Sequence, residues 1–346
     1  MSVSSRRALS VLALVTAAAC GVSASAAATP VAKCRVVHHK KVCTKPKPKP
    51  KPVPAPTIAA KIPLDAQIFD IADGFGSIWA RVGSDATNGG DTLVRIDPAT
   101  NAVVARIHVP KGFGVAVGET AVWTTNFTDN TVSRIDPATN AIVATVELAD
   151  VRPVGITATP GSVWVVTEGA DNAPGILYRI SSFTNLLDEG TLPGVDGGSD
   201  VAFSGGSVWI VGGQELVRAS ETSLGTTVVR EIANQNACGG MASNATTVWI
   251  AGGSCGFPKF ALAVVTSADG KTVATPSVPT LSDVALGLGA AWAISTNGTL
   301  IRLDTSTRKP VSQAPTDAAG SAAVIDAALG GVWVGGADGT LERFAP

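Results

Sequence analysis

From residue 57 to residue 346 the chain is written in short runs of apolar and β-branched residues, each cut off by Gly, Asn, Asp or Pro. Such runs predict strands joined by tight turns rather than helices. The clearest stretch predicts four strands in succession: Gly114 to Val117, Ala121 to Thr125, Thr131 to Ile135, and Ile142 to Glu147. The last two are joined by Asp136-Pro137-Ala138-Thr139-Asn140, and the same five residues stand at Asp97 to Asn101. An Asp that accepts backbone hydrogen bonds, a Pro that presets φ and an Asn that tolerates a left-handed backbone make this a hairpin turn with a physical mechanism.

The unit repeats. All seven Trp (79, 123, 164, 209, 249, 292 and 333) follow a small-residue turn, at intervals of 40 to 45 residues. A period near 42 with strand-like content is that of a propeller blade, whereas a helical solenoid would show a 3.6-residue period. The expectation is an all-β, seven-bladed β-propeller of four-stranded blades. The ends support it: Leu341-Glu342-Arg343-Phe344 reads as a third strand with no fourth after it. Ile58-Ala59-Ala60-Lys61-Ile62, similar to Ile142-Val143-Ala144-Thr145-Val146, supplies the missing one. An N-terminal strand that completes the last blade closes the ring and removes an open edge.

Composition agrees: 45% hydrophobic and 15% charged residues exclude a mainly disordered chain. Charge divides it, because residues 1–56 hold ten of the 26 basic residues and none of the 27 acidic ones. Residues 1–28 read as an export signal, with Arg6 and Arg7, an apolar run to Ala19 and small residues ending at Ala28. Ser5-Arg6-Arg7 also resembles a twin-arginine start, and Ala17-Ala18-Ala19-Cys20 a lipoprotein box, so lipidation at Cys20 and cleavage near Ala28 both stay open. Residues 29–56 read as a basic linker: a loop closed by a Cys34–Cys43 disulfide, then alternating Lys-Pro that favours an extended spacer. The spacer can hold to anionic envelope polymers by charge. Residues 57–346 are the propeller. The expectation is an exported bacterial monomer with no transmembrane span and no specific nucleic-acid partner.

The segment Asn130-Thr131-Val132-Ser133-Arg134-Ile135-Asp136-Pro137-Ala138-Thr139-Asn140 resembles the YVTN-type repeat of bacterial β-propellers. The Gly-x-Val-Trp element, as in Gly161-Ser162-Val163-Trp164, is similar to that of the streptogramin (virginiamycin B) lyase relatives. That resemblance implies a seven-bladed propeller and, for the lyases, catalytic His and Glu residues with a magnesium ion. Here the propeller has one His, His108, expected at the end of an outer strand. No motif position receives a catalytic His, and the general acid or base is missing.

Aligning the inner strands on the turn before each Trp brings Asp70, Gly114, Gly155, Asp200, Gly240, Asp283 and Asp326 into one column beside the central channel. Four acids around an axis can bind Ca²⁺, Mg²⁺ or an amine, or they can clasp backbone N–H groups of neighbouring strands. The clasp is favoured, since the same choice recurs around the ring. The loops joining second to third strands and successive blades form a polar face carrying Asn126, Arg152, Glu168, Asp196 and Gln214 as candidate ligand contacts. Cys238 and Cys255 flank one hairpin and are expected to form a disulfide. The leading expectation is a non-enzymatic binding module for a protein, glycan or small molecule. A metal-dependent lyase or hydrolase and a structural envelope protein are the alternatives.

Overall fold

A computed structural model of the chain describes residues 33–37, 40–44, 51–149, 152–168, 175–191, 197–212, 215–229, 239–253, 261–318 and 323–346. Cys20, Asp196, Gln214, Cys238 and Cys255 lie outside the described residues. Lys33–Val37 and Lys40–Thr44 form a two-stranded antiparallel sheet of their own, whose register sets Cys34 opposite Cys43.

The propeller has seven four-stranded antiparallel sheets. From inner to outer strand, blade 1 is Gln67–Gly74, Ser77–Gly83, Gly90–Asp97 and Ala102–Gly112. Blade 2 is Val115–Val117, Val122–Asn126, Thr131–Asp136 and Ala141–Glu147, each within a residue or so of expectation. Blade 3 is Pro153–Thr159, Ser162–Thr167, Ile176–Ser181 and Leu187–Thr191. Blade 4 is Asp200–Ser204, Ser207–Gly212, Glu215–Ser220 and Thr226–Val229. Blade 5 is Met241–Ser243, Thr247–Ala251, Leu262–Thr266 and Thr272–Ala274. Blade 6 is Leu281–Gly287, Ala290–Ser295, Thr299–Leu303 and Pro310–Pro315. Blade 7 is Val324–Ala328, Gly331–Gly335 and Thr340–Ala345, completed by Thr57–Pro63 as its outer strand.

That closure is the one expected, and a charged pair secures it. Glu342 is fully buried on the third strand, and Lys61 of the N-terminal strand reaches it at 3.1 Å. The turns also behave as the sequence requires. Asn101 and Asn140 adopt φ of 59° and 56°, and the N–H of Ala99 and of Ala138 each donate to the turn Asp at 2.8 Å. Among the described residues no helix is long and apolar enough to cross a membrane.

The core is distributed among the seams. Each Trp is buried and packs against the following blade: Trp79 against Val115 and Val122, Trp123 against Val163 and Val165, and Trp333 back onto Ile68 and Ile78. Over six of the seven Trp rings sits an Arg from the third strand of the same blade, at 4.9 to 6.0 Å. Several of these guanidinium groups then donate into the next blade's outer turn. Arg95 meets Pro137 O and Asn140 Oδ1, Arg134 meets Asn185 Oδ1, and Arg179 meets Glu221 O. Arg343 completes the circle by donating to Pro98 O at 2.7 Å and Asn101 Oδ1 at 3.1 Å.

Arg343→Ala removes the stacking partner of Trp333 and two charge-assisted bonds across the closing seam. It is expected to lower unfolding free energy by about 2–3 kcal/mol. Arg343→Lys, which keeps charge but not the planar fork, recovers only part of it. Urea denaturation checks this, and an unchanged midpoint for Arg343→Ala would refute the latch.

Candidate functional site: the axial cavity

The inner strands touch one another in a closed circle, each meeting both neighbours. Register sets which side chains face that circle. In blades 1 to 6 the residue opposite the Trp is Ala72, Ala116, Thr157, Ala202, Ala242 or Ala285. Asp70, Gly114, Gly155, Asp200, Gly240 and Asp283 therefore share one level, two residues earlier. Blade 7 departs from the expected column, because Asp326 itself pairs with Trp333. The cause is the turn: Leu329-Gly330 matches Phe75-Gly76 in length and in left-handed backbone, so Val324 takes the column position. Asp326 lies two residues further along its strand.

The three equivalent carboxylates make the same contacts. Each takes its own strand's next N–H on Oδ1 and the neighbouring blade's N–H on Oδ2. Asp70 accepts from Ile71 at 2.8 Å and Val115 at 2.7 Å. Asp200 accepts from Val201 at 2.7 Å and Met241 at 2.6 Å. Asp283 accepts from Val284 at 2.7 Å and Ile325 at 3.0 Å. These are clasps joining blades 1 to 2, 4 to 5 and 6 to 7. Where Gly holds the level, space is the constraint: a Cβ on Gly240 would fall 1.7 Å from Asp283 Oδ1.

Burial opposes the charge on these groups. It pushes Asp70 up to about 7 against the pull of its N–H donors, with the Asp200 charge adding to the rise. Asp200 rises to about 6 through burial, and Asp283 rises well above the usual carboxylate range through burial and then the Asp200 charge. Asp326, its Oδ2 without a hydrogen-bond partner, rises to about 7 through burial and the nearby Asp73.

Above this level opens a cavity of about 610 Å³. Asp70, Asp200 and Asp283 line it together with Phe69, Phe113, Phe127 and Glu168. The Phe rings form an edge-to-face chain, Phe69 to Phe113 at 5.7 Å and Phe113 to Phe127 at 5.1 Å. The Arg152 guanidinium lies 5.8 Å from the Phe127 ring centre and 3.9 Å from Glu168. Both charged groups are more than half exposed, so their pairing contributes little to stability.

Of the candidate ligand contacts, the cavity brings Glu168 to its lining and Arg152 next to it. Asn126 is a correction: it ends the second strand fully buried, and its amide donates to Thr131 and Ser133 at 2.8 Å each. It secures the hairpin instead of facing the cavity. Sequence reasoning missed the Phe wall, although Phe69 and Phe113 each stand one residue before a column position. His108 is exposed on the outer strand of blade 1.

The donor set does not fit the magnesium ion of the lyase resemblance. Both oxygens of Asp70, Asp200 and Asp283 already accept N–H bonds, and among the described residues no three His, Cys, Asp or Glu converge on a point.

Compared by sequence, the chain matches no protein family and no curated protein. Compared by structure, virginiamycin B lyase from Staphylococcus aureus matches 83% of this chain and 98% of its own, with TM-score 0.66 and 16% identity. A catalytically inactive variant of that lyase with quinupristin gives 0.63 and 18% over the same shares. The Pan2 WD40 domain from Neurospora crassa gives 0.67 and 10%, over 84% of this chain and 96% of that one. The chain is a seven-bladed β-propeller with a streptogramin lyase-like fold. At these identities the likeness is one of fold, and a lyase and a WD40 domain share it equally.

The raised carboxylates set the pH dependence of stability. A group that binds its proton more tightly when folded contributes stability below its unfolded value, near 4, and loses it as pH rises through the folded value. Asp70, Asp200 and Asp326 place that loss between about 4 and 7. The melting temperature is expected to be higher at pH 5.5 than at pH 8 by a few degrees, on the order of 1 kcal/mol. Asp200→Asn narrows the difference. Thermal denaturation at the two pH values decides, and a flat or rising profile contradicts the assignment.

Proposed function

We propose that the chain is an exported, non-enzymatic binding module of the cell envelope that holds a small ligand in its axial cavity. One observation carries the reading: a cavity large enough for a small molecule, walled by half-buried Phe69, Phe113 and Phe127. Apolar walls with a few convergent polar groups are the usual form of a ligand site on a rigid scaffold. Of protein, glycan and small-molecule ligands, a concave aromatic site suits the last best.

The remaining parts of the proposal rest on sequence. Residues 1–28 carry the export signal, with either lipidation at Cys20 or cleavage near Ala28 delivering the propeller to the envelope. The Lys-Pro spacer lies against anionic polymer. The register of Cys34 opposite Cys43 supports a disulfide there. Fold likeness to virginiamycin B lyase favours a lyase as the second reading, but the propeller's single His is exposed on an outer strand.

The test is a thermal-shift screen of the full chain against neutral, anionic and cationic small molecules, repeated on Phe113→Ala. A saturable rise in melting temperature is expected for the wild type, with affinity falling about tenfold or more in the variant, as lost aromatic contact implies. Hits that bind both forms equally, or no hit in any charge class, would overturn the reading.

A further inference from the structure

We propose that the axial cavity selects organic cations, a protonated or quaternary amine on an apolar body, with the ammonium at Asp70, Asp200 and Asp283 and the body against Phe69, Phe113 and Phe127. This inference rests on the cavity being a ligand site and names the class of ligand it takes.

Charge and shape both point this way. Four described side chains lining the cavity are acids, namely Asp70, Glu168, Asp200 and Asp283, and none is Lys, Arg or His. The nearest buried cation, Arg81, stands opposite Asp70 in the blade 1 ladder but outside the cavity lining, with Nε donating to Gly90 O at 3.0 Å and Nη2 to Pro110 O. The aromatic chain already receives one cation at its outer end, the Arg152 guanidinium over Phe127. Aromatic faces attract ammonium groups more strongly when water is excluded. An anion would meet four acids and no Lys, Arg or His among the described lining residues. A bare divalent ion would find carboxylate oxygens already holding N–H groups. A large monocation asks less of them, because it needs negative potential and contact rather than tight convergence of oxygens.

Proton balance supplies an independent readout. Burial raises all three carboxyls of the ring, and the Asp200 charge adds to the rise at Asp70 and Asp283. A bound cation favours their ionised forms, so binding releases protons and weakens as pH falls. The other charged groups facing this ring are Asp326 and Asp73 along the channel, Arg81 behind Asp70, and Glu168 with Arg152 at the rim.

The experiment is isothermal titration of the full chain with three probes of one shape: phenylbutylamine, phenylbutanol and phenylbutanoate. The amine is expected to bind about tenfold or more tightly than the alcohol, and the carboxylate not at all. Amine affinity should drop between about pH 8 and pH 5, and titration in two buffers of different ionisation enthalpy should report net proton release. Asp200→Asn should lower the ratio of amine to alcohol affinity several-fold, whatever it does to both. If that variant does not fold, proton release by the wild type decides, and zero release overturns the proposal. Equal binding of amine and alcohol, still sensitive to Phe113→Ala, would overturn the cation class and leave the cavity as a ligand site. No Phe113-dependent binding by any of the three would overturn both.

Discussion

Everything in this propeller depends on one packing event, the insertion of a buried Trp from each blade into the seam with the next. A four-stranded sheet has two apolar faces and no core of its own, so it is stable only when both are covered. Trp79, Trp123, Trp164, Trp209, Trp249, Trp292 and Trp333 supply the largest buried side chains, one for each seam. The Arg that stacks over the ring does a second task, because its remaining N–H groups reach the outer turn of the neighbouring blade. Apolar burial gives each seam its energy, and at five of the seven seams the guanidinium adds a hydrogen bond to the neighbouring blade. The ring closes with Thr57–Pro63 beside Thr340–Ala345.

The same geometry leaves a different problem at the axis, where inner strands approach with unpaired N–H groups. Two solutions alternate. At some seams the neighbours bond directly, as where Gly240 N–H donates to Ser282 O at 3.1 Å and Gly198 N–H to Thr167 O at 2.8 Å. At others a carboxylate spans the seam. Side-chain absence and side-chain acid are two answers to one requirement, that no buried backbone donor go unpaired.

Much of this was legible in the sequence because it rests on local chemistry. The Trp interval gave the blade count, and Asp-Pro-x-Thr-Asn gave a turn whose Asn is left-handed in both copies. The Arg latch was equally present, as Arg two residues before the turn acid in Val94-Arg95-Ile96-Asp97, Ser133-Arg134-Ile135-Asp136 and Ile301-Arg302-Leu303-Asp304. It escapes a reading anchored on Trp because the loops between second and third strands vary in length. Asp326 was misplaced for a related reason: two residues along a strand keep the same face and change only the level. Asn126 looked like a loop residue because Asn-Phe-Thr reads as a turn, whereas the second strand runs on to include it. The Phe wall was least legible, since Phe69 comes from blade 1 and Phe113 and Phe127 from blade 2, and they meet only when those two blades pack.

Why the clasp should be Asp and not Asn bears on function. The clasp must satisfy two N–H donors at once, one from its own strand and one from the next. A carboxylate offers two equivalent acceptor oxygens, while an amide would turn an NH₂ toward the second donor. Structure alone therefore selects an acid at positions 70, 200 and 283. Ringed by protein, those acids hold their charge at a penalty that desolvation sets. A penalty of that kind is relieved by a positive partner entering from the open side, and Asp70, Asp200 and Asp283 all line the cavity walled by the three Phe rings. The acid chosen for the scaffold thereby gives the axis its preference for positive charge.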